Sequence, residues 1–152
     1  MTPRAARAAR WQPWLISAVV LLADQLTKAL TQSAFQPGES RPILPPVLWL
    51  TYVQNTGAAF GLFKGQHVLF ILVSAGVILW LVRTFLAHPP LEPLSRWACA
   101  LILGGASGNL MDRLRFGYVV DFFDLRVWPV FNVGDSAITI GVTLLMWRAL
   151  RK

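Results

Sequence analysis

The stretch GNLMDRLRFGYVVDFFDL, residues 108–125, and the stretch FNVGDSAI, residues 131–138, hold most of the acidic residues of this chain. The 152-residue sequence has seven Asp and Glu residues in total, and four of them lie here: Asp112, Asp121, Asp124 and Asp135. A carboxylate costs much more free energy in an apolar environment than in water. The environment of these four acids therefore decides what they can do.

The composition indicates that this environment is a membrane. Hydrophobic residues make up 55% of the chain and charged residues only 14%, and the mean hydropathy is +0.54. An average soluble domain has about 25% charged residues. A chain of this length accommodates a few membrane spans and one structured outer region, but not two domains with separate cores. We therefore expect one integral membrane domain that comprises residues 1–152.

Four apolar stretches approach the length of a membrane-spanning helix. A helix needs about 20 mostly apolar residues to cross a hydrocarbon core about 30 Å thick. The predicted spans are residues 14–33, 68–87, 94–110 and 136–150. The expected fold class is thus a mainly α membrane protein with four transmembrane helices.

A cleavable signal peptide is the alternative interpretation of the first span, because residues 1–10 are basic and residues 14–23 are apolar. Asp24 and Lys28, however, lie where a neutral, small-residue cleavage site would have to be. We therefore expect the first span to stay in the protein, with the Ala/Arg-rich N-terminus as a disordered cytoplasmic tail.

The basic residues predict the orientation of the spans, because cytoplasmic loops and ends carry an excess of Lys and Arg. With the N-terminus inside, eight basic residues lie on the cytoplasmic side: Arg4, Arg7, Arg10, Arg83, Arg96, Arg148, Arg151 and Lys152. Five lie on the outer side: Arg41, Lys64, Arg113, Arg115 and Arg126. Both termini are therefore expected in the cytoplasm. Because the positive charges are dispersed at span ends, membrane lipids and not nucleic acid are the expected partners of the net charge of +7.

Two segments are expected outside the membrane, residues 31–66 and residues 111–135. The first contains VLWLTYVQ, residues 47–54, whose β-branched and aromatic residues predict a strand, and then NTGAAFGLF, where Asn and Gly allow a turn. Both segments lie on the outer side, as do Asp24, late in the first span, and Asn55. The clustered acids and these two residues therefore gather at one membrane surface.

Each clustered acid also has an ordinary structural interpretation. Asp135 precedes Ser-Ala-Ile and would cap the fourth span. Asp112 would pair with the adjacent Arg113, and Asp124, in a loop, is expected to be solvated. These interpretations explain the acids one by one but not their common location.

Two further groups of residues in the spans have structural interpretations. Asp24 and Lys28 are four residues apart, the spacing of an ion pair on one helix. Gly104, Gly105 and Gly108 form a small-residue face that favours close packing of helices.

The residue types present favour carboxylate chemistry. His67 and His88 lie near opposite membrane surfaces, and the sequence has neither a Cys/His metal-binding spacing nor a G-x-S-x-G nucleophile motif. Two carboxyl groups close together cannot both ionise, so one keeps a proton near neutral pH while the other can accept one from water. Aspartic proteases use such a pair.

Five blocks of the sequence resemble, in the same order, the motifs of the bacterial lipoprotein signal peptidases, the signal peptidase II family. The blocks are DQLTK at 24–28, QNTGAAFG at 54–61, GGASGNLMDR at 104–113, GYVVDF at 117–122 and FNVGDSAI at 131–138. Together with the four spans they cover most of the chain beyond residue 13. One residue departs from the family pattern, because Gly134 stands where the family usually has alanine, and we expect a looser turn there.

The resemblance implies a membrane-embedded aspartic endopeptidase that needs no cofactor. Such an enzyme removes the signal peptide from diacylglyceryl-modified prolipoproteins just before the lipid-modified cysteine. The implied location is the bacterial inner membrane, with the active site and a small β-cradle on the extracytoplasmic side. The resemblance places the catalytic pair on Asp121 and Asp135. The matching support and substrate-binding positions are Asn55, Gly57, Asn109, Asp112, Arg113, Asn132, Asp24 and Lys28.

Two other functions are compatible with clustered acids in a membrane. Residues 112–124, DRLRFGYVVDFFD, partly match the metal-binding pattern of Mg-dependent phosphatidyltransferases, although the upstream half of that pattern is missing. A small four-span transporter would also place acids in a membrane, but neither broken spans nor repeat symmetry are visible. A chelator distinguishes the first alternative, because a magnesium enzyme loses turnover in it and an aspartic peptidase does not.

The predicted orientation is tested by cysteine labelling at Gln66 and Phe116. Both positions belong to the outer side, so a membrane-impermeant reagent should label both from outside the cell. Labelling of either position from the cytoplasmic side alone would contradict the orientation, and with it the gathering of the acids at one surface.

Overall fold

The computed structural model of the chain describes residues 3–57, 66–87 and 92–151. These residues form seven elements: α1 (Pro3–Ala34), β1 (Ser40–Leu44), β2 (Leu48–Asn55), α2 (His67–Leu86), α3 (Pro93–Phe116), β3 (Val119–Asp124) and α4 (Val133–Leu150). The expected fold class, four helices with a small sheet, is confirmed.

Three of the four helices in the described part of the chain are long and apolar enough to cross a membrane: residues 10–34 of α1, and the whole of α2 and α4. Helix α3 differs, because its second half carries Asn109, Asp112 and Arg113. It has 24 residues, which at 1.5 Å per residue is about 36 Å of helix. The expectation of four apolar spans is therefore corrected to three apolar helices and one polar helix.

The polarity of α3 is tolerated because α3 is the central helix, in contact with α1, α2 and α4. Its first half contributes Cys99, Ile102 and Leu103 to a core cluster that also contains Leu81 of α2. In contrast, α2 has one fully buried residue, Leu81, and exposes apolar side chains to its surroundings. The polar side chains of Asn109 and Asp112 in the second half of α3 thus lie inside the protein.

The helix boundaries differ from the predicted ones at two places. Helix α1 begins at Pro3, not at residue 14, so the expectation of a disordered N-terminal tail is wrong. Ala and Arg are strong helix formers, which accounts for the earlier start. Helix α3 continues to Phe116, beyond the predicted end at 110, and stops at Gly117, whose φ of 80° is the usual geometry of a C-terminal glycine. The segment that was predicted to lie outside the membrane therefore starts after the helix and not at residue 111.

The glycines of α3 form the expected close helix contacts. A Cβ atom on Gly104 would lie 2.7 Å from the Ser17 carbonyl oxygen of α1, which leaves no room for a side chain. A Cβ atom on Gly105 would collide with the backbone carbonyl oxygen of Gly134 in α4. The interpretation of these glycines as a packing face is thereby supported.

The three strands form one antiparallel sheet in the order β1, β2, β3. Strand β2 overlaps the strand predicted at residues 47–54, whereas β3 comes from the segment 111–135, where no strand was predicted. In the register of β2 and β3, Val53 lies opposite Asp121 and Asn55 opposite Val119. Because side chains alternate along a strand, Asn55 and Asp121 share one face of the sheet. The predicted turn after Asn55 falls mostly on residues 58–65, which lie outside the described residues.

The contact between α3 and α4 gives a prediction for stability. Gly105→Ala would push a methyl group into the Gly134 backbone, and such overpacking costs about 1–3 kcal/mol. We expect the thermal midpoint in detergent to fall by several degrees. The matched control is Gly76→Ala in α2, where a Cβ atom meets nothing within 4 Å, and its midpoint should stay equal or rise. Equal midpoints for the two variants would contradict the close contact.

Candidate active site

The buried ammonium group of Lys28 holds α1 and α3 together. Its Nζ lies 2.8 Å from Asp24 Oδ2, 2.9 Å from Asp112 Oδ2 and 2.8 Å from Asn109 Oδ1. Lys28 is 2% exposed and the two carboxylates 0% and 1%. The predicted ion pair between Asp24 and Lys28 is therefore confirmed. It is fully buried and shared with a second acid, unlike a pair on a helix surface.

Asp112 does not pair with Arg113, contrary to the prediction. Its carboxylate binds Lys28, accepts a bond from Gln25 Nε2 at 2.9 Å and accepts one from the backbone N–H of Val120 at 3.1 Å. Arg113 instead lies with its guanidinium 5.1 Å from the centre of the Phe70 ring on α2. Adjacent residues of a helix point in different directions, so neighbours in sequence face different partners.

Asp24 connects the Lys28 cluster to the fourth helix. Its Oδ1 accepts a hydrogen bond of 2.8 Å from the backbone N–H of Gly134, in the first turn of α4. A Cβ atom at Gly134 would lie 3.0 Å from the Gly105 carbonyl oxygen and 3.1 Å from Asp24 Oδ1. The glycine at this position thus lies in a tightly packed helical turn with its N–H bound, and the loosening expected from the sequence is not seen.

Asp121 lies on β3 and is 1% exposed. Asn132 Nδ2 donates to its Oδ1 at 2.6 Å, and Asn55 Nδ2 donates to its Oδ2 at 2.9 Å. The two amides come from different parts of the chain, the end of β2 and the start of α4. Both oxygens of this carboxyl group are therefore held in place.

The sequence suggested that Asp135 is the N-cap of α4, but the structure places another residue there. The N-cap is Asn132, whose side-chain oxygen accepts the backbone N–H of Asp135 at 2.8 Å. Asp135 closes the capping box, because its Oδ2 accepts the backbone N–H of Asn132 at 3.3 Å. Its Oδ1 accepts a 2.7 Å bond from Asn109 Nδ2. The carboxyl group is thus fixed from both the helix start and α3.

The two aspartates are linked through amide side chains. Asn132 binds Asp121, Asn109 binds Asp135, and Asn132 Nδ2 lies 3.2 Å from Asn109 Oδ1. Asn132 is fully buried and Asn109 is 5% exposed. The structure therefore brings Asp121 and Asp135 to one site, as the resemblance implied.

Burial is the main reason that the pKa of Asp121 is raised from 3.8 to about 7. The nearby charge of Asp135 raises the pKa further, while the amides of Asn55 and Asn132 and the charge of Lys28 lower it. A carboxyl group with this pKa exchanges its proton near neutral pH, as acid–base chemistry requires.

A cavity of about 550 Å³ opens at these carboxyl groups. Its lining includes six of the predicted site residues: Asn55, Gly57, Asn109, Arg113, Asp121 and Asp135. The other four, Asp24, Lys28, Asp112 and Asn132, do not line it. The predicted set is thus divided into a cavity wall and a buried layer behind it.

The apolar wall of the cavity was not predicted. It comes from the loop after β3, with Leu125, Trp128 and Val130, and from α4, with Ile138 and Ile140. In the sequence Leu125, Trp128 and Val130 stand between two motifs and Ile140 stands inside a span, where apolar residues are ordinary, whereas Ile138 ends the motif FNVGDSAI. Their only signal was their position beside two acidic motifs.

Asp124 is not solvated, contrary to the prediction, and it does not line the cavity. It is 6% exposed, accepts a 2.7 Å bond from Thr51 Oγ1 and accepts the backbone N–H of Arg126 at 2.8 Å. The guanidinium of Arg126 lies 4.1 Å from the ring centre of Trp49, the residue opposite Asp124 in the sheet. Asp124 therefore fastens β3 to β2 at the end of the sheet.

None of the described residues form a group of three or more His, Cys, Asp or Glu side chains that could hold a metal ion. The carboxyl groups at the cavity are separated by amides instead. The arrangement is that of two oriented acids, one on a strand and one on a helix.

Comparison of the sequence with known families and proteins gives one consistent result. The profile of the family described as "Signal peptidase (SPase) II" matches residues 16–151. A lipoprotein signal peptidase of Moorella thermoacetica is 50% identical over 139 residues, which cover 91% of this chain and 93% of the relative. Another, of Pelotomaculum thermopropionicum, is 47% identical over 137 residues, 90% of each chain.

Two solved structures, both described as bacterial membrane enzymes, have the same fold. The structure solved at 2.3 Å has a TM-score of 0.86 and 33% identity, and the match covers 92% of this chain and 88% of the other. The structure solved at 1.9 Å has a TM-score of 0.84 and 32% identity, with 93% and 94% covered.

The raised pKa of Asp121 gives a pH prediction for stability. Because the folded pKa is about 7 and the ordinary value 3.8, binding the proton stabilises the fold. This contribution is complete below about pH 4 and is lost as the pH rises through about 7. The Asn side chain of Asp121→Asn is neutral at every pH, so the variant does not lose this contribution to stability as the pH rises. The midpoint of the variant minus that of the wild type should therefore increase by roughly 5 °C between pH 5 and pH 8. A difference that is independent of pH would contradict the raised pKa.

Proposed function

This chain belongs to the signal peptidase II family, and on that premise we propose which of its residues perform the reaction and where in the cell they do so. As a member of the family it is an aspartic peptidase of the membrane that cleaves the signal peptides of prolipoproteins. The phosphatidyltransferase and transporter interpretations are thereby set aside.

The proposed catalytic residues are Asp121 and Asp135. One observation carries this assignment: they are the two carboxyl groups that face the cavity, each with both oxygens bound by N–H donors. Asp24 and Asp112 share an ion pair with Lys28 behind the wall, and Asp124 lies at the sheet end. The assignment agrees with the family motifs GYVVDF and FNVGDSAI.

In the proposed mechanism one carboxyl group of the pair is ionised and the other is protonated. The ionised group removes a proton from water, whose oxygen attacks the scissile carbonyl carbon, while the protonated group donates its proton to the carbonyl oxygen. The resulting diol then breaks the C–N bond. The leaving nitrogen takes the proton from the first carboxyl group, and a diol hydroxyl returns a proton to the second. The pair ends with one proton, as it began.

The other polar groups of the cavity have supporting roles in this proposal. The amides of Asn55, Asn132 and Asn109 hold the two carboxyl groups, and the half-buried Arg113, stacked on Phe70, can donate to a backbone carbonyl of the substrate. Gly57 forms part of the wall, with its N–H bound to Asn55 Oδ1 at 3.0 Å. Asn55, Gly57, Asn109 and Arg113 line the cavity, in which an extended peptide would bind.

The proposed substrate is the prolipoprotein with a diacylglyceryl-modified cysteine, cleaved just before that cysteine. The apolar wall supports this proposal, because Trp128 and Leu125 of the loop after β3 line the cavity together with Ile138 and Ile140 of α4. Ile140 and Trp128 are also exposed at the protein surface. An apolar signal segment and acyl chains would therefore contact apolar side chains both at the membrane-facing surface and inside the cavity.

We propose a location in the bacterial inner membrane, as a single domain of residues 1–152, with both termini in the cytoplasm and the site outside. Arg148 near the end of α4 bonds Glu92 at the start of α3 at 2.6 Å, so these two ends lie together. The cavity lies at the other ends of the same two helices, near Asn109 and Asp135. The basic ends and the acidic site thus face opposite sides of the membrane, and no cofactor is part of the proposal.

The assignment predicts which acidic residues are needed for cleavage and which are not. Asp121→Asn and Asp135→Asn should each reduce cleavage of a diacylglyceryl-modified prolipoprotein by about 10³-fold or more, because either change removes one ionisable member of the pair, and the two losses should not add. Thermal unfolding should remain cooperative. The control is Glu92→Gln at the opposite end, which should keep turnover.

A second control is Asp124→Asn, which should lower the thermal midpoint through its lost bonds but keep turnover per folded molecule. An inactive but folded Asp124→Asn protein, together with near wild-type turnover for Asp121→Asn or Asp135→Asn, would overturn the assignment.

A further inference from the structure

The three amide side chains at the site share one arrangement. Each side-chain oxygen accepts a bond from a donor, which leaves the NH₂ group for a carboxyl group. Asn55 Oδ1 accepts the backbone N–H of Gly57 at 3.0 Å, and Asn132 Oδ1 accepts the backbone N–H of Asp135 at 2.8 Å. These two amides are thus oriented by the backbone itself.

The third amide, that of Asn109, is oriented by a side chain. Its Oδ1 accepts Lys28 Nζ at 2.8 Å, and its Nδ2 donates to Asp135 Oδ1 at 2.7 Å. Asn132 Nδ2 also approaches the Asn109 oxygen, at 3.2 Å, but its shortest bond, of 2.6 Å, goes to Asp121. Lys28 is therefore the main donor that holds the Asn109 oxygen.

A rotation of the Asn109 amide by 180° would be unfavourable at both ends. It would place the NH₂ group against the Lys28 ammonium and the carbonyl oxygen against the Asp135 carboxyl group. An ammonium has three N–H donors, and two of those of Lys28 bind Asp24 and Asp112. The third is the one that selects the orientation of Asn109.

We propose that Lys28 is a positioning residue for peptide hydrolysis, which acts through the orientation of Asn109 so that an N–H faces Asp135. The proposal rests on the assignment of Asp121 and Asp135 as the catalytic pair. Lys28 does not line the cavity, so it has no direct contact with a substrate there. Its removal should therefore lower kcat and leave KM nearly unchanged, because the bond to Asp135 supports the chemical step and not binding.

A double-mutant cycle tests this role. Lys28→Met removes the ammonium and keeps the length of the side chain, and Asn109→Leu removes the amide and keeps its shape. Each variant should lose about 10- to 100-fold in kcat, the effect of one well-oriented bond to a charged group. The double variant should lose no more kcat than Asn109→Leu alone, because without the amide Lys28 no longer acts on Asp135. All values are taken per folded molecule, from thermal unfolding in the same detergent.

A matched variant separates this role from the charge of Lys28. Lys28→Gln is neutral, like Lys28→Met, but still carries N–H donors for the Asn109 oxygen. It should therefore keep a kcat several-fold higher than Lys28→Met. Equal kcat values for the two variants would show that only the charge matters and would overturn the proposal.

Three other results would also overturn it. Losses that multiply in the double variant would show that Lys28 acts independently of Asn109. A raised KM with unchanged kcat would place Lys28 in substrate binding, and failure of both Lys28 variants to fold would make its role purely structural. The failure of the catalytic assignment is distinguishable from these, because it appears as turnover in Asp121→Asn or Asp135→Asn.

Discussion

The buried ammonium of Lys28 is the constraint on which the rest of the structure depends. Removing such a group from water costs several kcal/mol, and it is retained only where close partners satisfy it. Here Asp24 and Asp112 provide opposite charge, and each carboxylate also binds the backbone of another element. Asp24 binds the backbone of Gly134 in α4, and Asp112 binds the backbone of Val120 in β3. One charge thus determines how two spans, a helix start and a strand meet.

The two carboxyl groups at the cavity are placed by different kinds of structure. Asp135 is held by the capping box of α4, a local arrangement that forms whenever that helix starts at Asn132. Asp121 is held by the register of β3 against β2, which depends on residues far apart in sequence. The Val120 N–H bound by Asp112 is the neighbour of Asp121, so the strand is also fixed from α3. The geometry of the pair therefore requires the complete fold.

The sequence was sufficient for the features that depend on residue type or local spacing. Three of the four apolar spans, strand β2 and the Asp24–Lys28 pair were predicted in this way, whereas the pairing of Asp121 with Asp135 was predicted from the family resemblance. The partners of Asp112 and the burial of Asp124 were not predicted, because both depend on tertiary contacts. Asp124 is buried only because the register of β3 brings it to Thr51. The same long-range pairing explains why β3 itself, with only six residues, was missed.

The polarity of α3 has a consequence for how the protein is assembled in the bilayer. A helix with Asn109, Asp112 and Arg113 in its C-terminal half is a poor independent span, since isolated charges in lipid are unfavourable. Its polar side chains gain their partners only when α1 supplies Lys28 and α4 supplies Asp135. Insertion of α3 is therefore coupled to its association with the preceding and following spans. The residues that form the site therefore also require α3 and α4 to insert and pack together.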